Sequence, residues 1–161
     1  MQPAFWLLLC LASTGACASR GSPLPADAVI LPPEAIARLL RQCSRDEPPL
    51  GEGDWRPAPE HIAALELALP QALSARRRAD HPDWSRAPQG WRRQYVGIVR
   101  QGRRFIYGSF YPRNSGGEFE AWARDWRTVP VIICDGGPSF FGVEYDVEAG
   151  RFTHVAFNGS I

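Results

Sequence analysis

The side chains able to do chemistry are few and dispersed. A hydrolytic triad needs a nucleophile, a base and an orienting acid. Ser139, which follows Asp135-Gly136-Gly137-Pro138, could be grouped with His154 and Asp146. Nothing resembling G-x-S-x-G surrounds that serine, and His154 falls in a strand-like segment where a structural histidine is the commoner case. Asp135 and Glu144 could be nominated as paired carboxylates for glycoside chemistry, yet any acid-rich domain offers such pairs. His61, His81 and His154 make no i, i+4 pair, and no second C-x-x-C accompanies the cysteines, so neither metal nor cofactor is expected. Asp135-Gly136-Gly137 could form a nest of backbone N–H groups for an anion; the aspartate opposes that, and a turn explains the glycines better. No residue is therefore assigned a catalytic role.

Binding chemistry is the stronger signal. The chain has 18 basic residues against 17 acidic ones, and every basic residue is arginine. Nine of the arginines fall within residues 76–104, whereas residues 115–161 are acidic on balance. Arg92, Arg93, Arg103 and Arg104 alternate with Tyr95, Phe105 and Tyr107, a basic and aromatic combination of the type that stacks on nucleic acid. It would equally meet an anionic lipid, a saccharide or an acidic protein. The competing reading is a solvated face paired with the acidic C-terminal half.

The N-terminus decides between these partners. Phe5-Trp6-Leu7-Leu8-Leu9-Cys10-Leu11-Ala12 is an apolar core followed at once by Ser13, Thr14, Gly15, Ala16, Cys17 and Ala18. It is far shorter than the ~20 residues that span a bilayer, and residues 1–18 read as a cleaved signal peptide. Thr14-Gly15-Ala16-Cys17 resembles a bacterial lipobox, which would acylate Cys17 and tether the protein to the periplasmic face of the outer membrane. Ala16-Cys17-Ala18 also fits ordinary cleavage, which would release a soluble periplasmic protein beginning at Ser19. Residues 19–33, rich in Ser, Pro, Ala and Gly, read as a tether. Export sets nucleic acid aside. It leaves an envelope protein or an anionic envelope component as partner, with the membrane engaged only through a lipid anchor. It also places Cys43 and Cys134 where a disulfide can form.

These residues must be positioned by a single domain over residues 34–161. Pro32-Pro33-Glu34 opens a first helix, in which Ile36, Leu39, Leu40 and Cys43 form one apolar stripe that would carry the cysteine inward. Pro59-Glu60 starts a second helix with Ile62, Leu65, Leu69 and Leu73 buried. Pro70 predicts a kink or restart, and Arg76-Arg77-Arg78 complements the C-terminal dipole. From Arg92 the period changes to two. Residues 95–100 and 103–111 form a hairpin across Gln101-Gly102, and residues 140–147 and 152–157 a second across Glu148-Ala149-Gly150. Phe119, Trp122 and Trp126 suggest a short helix, and Val131-Ile132-Ile133 reads as a central strand. The expected fold is α+β, with two N-terminal helices on one face of a mostly antiparallel five-stranded sheet.

Several of these segments carry a resemblance. Cys43-Ser44-Arg45, Ile62 with Leu65-Glu66, and Arg93-Gln94-Tyr95-Val96-Gly97-Ile98-Val99 are similar to segments of a group of small uncharacterised envelope proteins of Gram-negative bacteria. Trp126-Arg127-Thr128-Val129-Pro130, Cys134-Asp135-Gly136-Gly137, Phe141-Gly142-Val143-Glu144-Tyr145-Asp146 and Phe157-Asn158-Gly159 extend the likeness over nearly the whole mature chain. The resemblance implies an envelope location and brings no activity with it. In order of elements alone, the chain is similar to cystatin-like and nuclear-transport-factor-like cones. It is similar in the same way to the helix-helix-sheet domains of outer-membrane assembly lipoproteins and β-lactamase inhibitor proteins. The expected function is that of a non-catalytic envelope binding module, an assembly accessory or an inhibitor or immunity-type partner. The alternative is a small cone-shaped enzyme with a pocket between helix and sheet.

Overall fold

A computed structural model of the chain describes residues 23–79 and 81–160. The signal-peptide reading and the acylation of Cys17 concern residues outside that span. The fold is α+β, built on an open, mostly antiparallel sheet of six strands. The long central hairpin pairs β3 (Trp91–Arg100) with β4 (Arg103–Pro112) over ten positions. Its two-residue turn places Gln101 at φ 53° and Gly102 at φ 70°, the left-handed pair of a turn whose twist matches the strands. Strands β5 (Phe141–Asp146) and β6 (Arg151–Phe157) continue the sheet beyond β4. On the other side of β3 lie two short strands absent from the sequence reading. β1 (Ala28–Ile30) pairs parallel with Arg93, Gln94 and Tyr95, and β2 (Gly53–Trp55) antiparallel with Gly97, Ile98 and Val99.

Of the tether expected over residues 19–33, the described part, residues 23–33, belongs instead to the domain. Residues 28–30 are a strand of the domain, Leu31 is buried, and Leu24 packs against the core. A three-residue strand with two flanking prolines is too short to show a period of two, which is why composition alone suggested a linker.

The helices depart from expectation in their placement. Helix α2 (Pro59–Ser74) buries Ile62, Leu65, Leu69 and Leu73 against Tyr95, Ile106, Phe110, Phe141 and Val143, each such side chain contributing about 1.5–3 kcal/mol of burial. Pro70 lies inside α2 without ending it. Its missing N–H sacrifices one ladder bond, and the flanking buried leucines hold the turn in place. Helix α1 (Ile36–Leu40) is shorter than expected, and Leu39 and Leu40 pack against Val96, Ile98, Phe105 and Tyr107. Successive strand residues point to opposite sides of a sheet. Tyr95 and Val96 therefore lie on opposite faces, as do Ile106 and Tyr107. The two helices cover opposite faces, not one. The stripe that was to carry Cys43 inward breaks at Leu40; Gln42 is buried instead and Cys43 is exposed.

The expected strand over residues 129–134 does not form, and the reason is specific. This segment crosses the α1 face of the sheet as coil, and side-chain amides take the place of a neighbouring strand. Gln94 Oε1 accepts from the Val131 N–H at 2.8 Å, and its Nε2 donates to the Val129 carbonyl at 2.7 Å and to that of Trp126. Gln42 Oε1 accepts from the Ile133 N–H at 3.2 Å. Asn158 Nδ2 donates to the carbonyls of Ile133 and Asp135 at 2.8 and 3.0 Å. Buried backbone groups must be paired, and these three amides complete the pairing where Pro130 has no N–H to offer a ladder. Helix α3 (Gly117–Trp122) precedes the segment. Tyr111, Ala123, Trp126 and Val131 form a third small core there.

Candidate functional site

The arginines and tyrosines singled out in the sequence do not share a surface. Tyr95 and Tyr107 are fully buried and lie on opposite faces. Tyr95 donates to Glu66 Oε1 at 2.8 Å, and Arg93 forks onto the same carboxylate at 2.9 and 3.3 Å. Burial pushes the Tyr95 phenol well up, and the Glu66 charge pushes it further. Arg92 pairs with Glu120 at the end of the hairpin near Pro112. Arg103 pairs with Asp146 and Arg104 with Glu148 at the opposite end, beside the pair between Arg100 and Glu144. The Arg104 side chain, by hydrogen bonding, holds the Glu148 carboxyl below the usual range. The turn end of the basic hairpin is thus matched against the acidic β5–β6 hairpin, and its other end against Glu66 of α2 and Glu120 of α3.

Nor are the triad residues assembled. His154 Nε2 lies 3.0 Å from the Asp46 carbonyl. Asp146 is occupied by Arg103 and by the Ala149 N–H, so no histidine–aspartate pair forms. Glu144 is 1% exposed and is engaged by Arg100 at 2.7 Å and Thr153 at 2.7 Å. His61 Nδ1 accepts from the Ala58 N–H at the start of α2, a capping role. Among the described residues no group of three or more His, Cys, Asp or Glu is placed to hold a metal ion. No helix in them is long and apolar enough to cross a membrane.

A different set of groups converges on one open cleft of about 1040 Å³. It runs along β6, the last strand in the order β1-β3-β4-β5-β6, whose outer edge pairs with no strand among the described residues. On the α2 face its wall is Arg76, Arg78 and His81; on the α1 face it is Cys43, Ser44, Arg45, Asp46 and His154. The Cys43–Cys134 disulfide fixes that second wall. The bond is the expected pairing, although both cysteines are exposed. Arg76 Nη1 reaches the Val155 carbonyl at 3.3 Å. His81 packs on Trp84 and Phe157, with ring centroids 4.9 and 4.8 Å away, and so closes the end of the cleft with aromatic surface.

Arg45 is the unusual member of the cleft. It is 9% exposed, and its guanidinium is held by neutral oxygens alone: Asn158 Oδ1 at 2.9 Å, Ser109 Oγ at 2.9 Å and the Tyr107 hydroxyl at 3.2 Å. Its Nε has no partner. Gly142 makes room for it, since a Cβ there would come within 2.4 Å of the Tyr107 hydroxyl and 2.9 Å of Nε. Buried charges are ordinarily neutralised by an opposite one. Arg45, Arg76 and Arg78 make no ion pair with a carboxylate among the described residues, in contrast to the six arginines at 92, 93, 100, 103, 104 and 113 that do. Cys43-Ser44-Arg45 and Phe157-Asn158-Gly159 carry part of the resemblance, but beyond the disulfide at Cys43 the sequence assigned these residues no role. Their signal was proximity to the disulfide and to an edge strand, which only the sheet order reveals. Comparison of the chain with protein-family models, with curated proteins and with solved structures finds no match.

Proposed function

We propose that this protein is a non-catalytic binding module of the bacterial cell envelope, an assembly accessory or inhibitor that grips a protein partner in the cleft along β6. The observation that carries this reading is the concentration of Arg45, Arg76 and Arg78, none ion-paired, beside a strand edge unpaired among the described residues, whereas the arginines of the β3–β4 hairpin are each neutralised by a carboxylate. The disulfide and the leader-like N-terminus support export to an oxidising compartment. Acylation of Cys17 would hold the module at the outer membrane; an intact mass of the mature protein carrying a diacyl or triacyl adduct is the expected result.

Site-specific photocrosslinking in envelope preparations tests the docking site. A photoreactive residue at Thr153, exposed on β6, should capture a protein. The same residue at Leu67, 86% exposed on the outer side of α2, should not. Capture at position 67 and none at 153 would refute the assignment.

A further inference from the structure

The shape of the cleft specifies how a partner is held. We infer that the partner contributes an extended acidic segment that adds to β6 as a further strand, with Arg76 standing in for that strand in the free protein. The inference rests on the binding reading above and deepens it.

The main-chain geometry comes first. In an antiparallel strand the N–H and C=O of one residue point to the same side. The Asn158 N–H donates to the Phe140 carbonyl, so even-numbered residues here turn their main chain toward β5. Val155 and Phe157 turn theirs outward into the cleft, and the Val155 carbonyl is where Arg76 Nη1 sits. An open edge is a template for pairing, and native proteins cover such edges with charged side chains. Arg76 is that cover, at the long distance of 3.3 Å and from an exposed position at the end of α2. It is easily displaced by a peptide N–H.

Charge then selects the occupant. Side chains of an added strand alternate between the two faces. On one they would meet Arg76 and Arg78, on the other Arg45 and His154, against the single carboxylate of Asp46 in the lining. Carboxylates on either face of the added strand would therefore find cations, so a peptide with glutamates at alternate positions can turn them all toward one wall, and Arg76, freed from Val155, would pair with one of them. A second copy of this chain is a poor occupant, because pairing β6 with β6 would set the same cations against each other.

The probe is a short synthetic peptide alternating valine and glutamate, with a valine–lysine counterpart, titrated into the mature protein. The acidic peptide should bind and the basic one should not. Arg78→Glu should weaken binding roughly tenfold or more, the scale of a lost charged hydrogen bond, and Arg124→Glu, remote from the cleft, should not. On binding, the Val155 and Phe157 amides should gain hydrogen-exchange protection. Binding without that protection overturns strand addition and leaves the cleft reading intact. Equal binding of anionic vesicles or polyphosphate, abolished by Arg78→Glu, would replace the peptide with an anionic polymer or membrane surface. No binding of the acidic peptide overturns the inference, whereas failure of the Thr153 crosslink overturns the reading beneath it.

Discussion

Buried tyrosines dominate this protein at the residue scale. Burial raises the phenols of Tyr95, Tyr107 and Tyr111 above their ordinary value. In the unfolded chain they ionise near pH ~10. Their protonated contribution is therefore fully present below that pH. As pH rises past it, the unfolded state sheds protons that the folded state keeps, and stability falls. The melting temperature should decline from about pH 10 upward, with the phenolates of these three tyrosines appearing together with unfolding and not before it. Tyr95→Phe should flatten that decline. It should also cost about 1.5–3 kcal/mol at neutral pH, because Glu66 loses a donor. An unchanged alkaline slope in the Phe variant would show that Tyr95 is not among the groups responsible.

The coil over residues 126–135 is the feature most dependent on few contacts among the elements. Gln94 alone serves one N–H and two carbonyls of that segment. Replacing it with leucine, similar in size, leaves those groups buried and unpaired, at about 1–3 kcal/mol for each. Urea denaturation of Gln94→Leu should show the loss, and hydrogen exchange should place the new mobility at Val131 before the β3–β4 hairpin. Gln94→Glu separates the two roles. It keeps the acceptor for Val131 but turns a carboxylate oxygen on two carbonyls, so it should be no milder than leucine. Exchange that loosens the hairpin first would contradict the assignment of these amides as the segment's local support.

For the molecule as a whole, the disulfide ties the two coil segments that cross one face of the sheet. Its closure spans 91 positions, and the loop-entropy treatment gives about 4–5 kcal/mol of stabilisation. The Cys43→Ser, Cys134→Ser double variant should lose up to that amount in equilibrium denaturation. Because Arg45 lies two residues after Cys43, the same variant should weaken capture by a crosslinker at Thr153 at temperatures where the fold persists. A variant that loses stability yet captures the partner at full yield would confine the disulfide to a purely structural role.

Local pattern alone settled a good part of this. The period of two marked both hairpins, and Gln101-Gly102 and Gly150 marked their turns, because turn chemistry and side-chain alternation act over a few residues. The four apolar positions of α2 were legible for the same reason. The pairing of the basic hairpin with the acidic one was legible as a charge balance. Tertiary structure decided the rest. The apolar run over residues 129–134 had the composition of a strand, but amide side chains from residues 42, 94 and 158 supplied its partners. No local window contains that information. The two helices fell on opposite faces because alternating residues of β3 and β4 are apolar on both sides, and a helical stripe does not say which side it will cover. The chemistry-bearing residues followed the same rule. The hairpin arginines nominated for a binding patch were spent on carboxylates, while Arg45, Arg76 and Arg78 were left facing an open edge by the order of the strands.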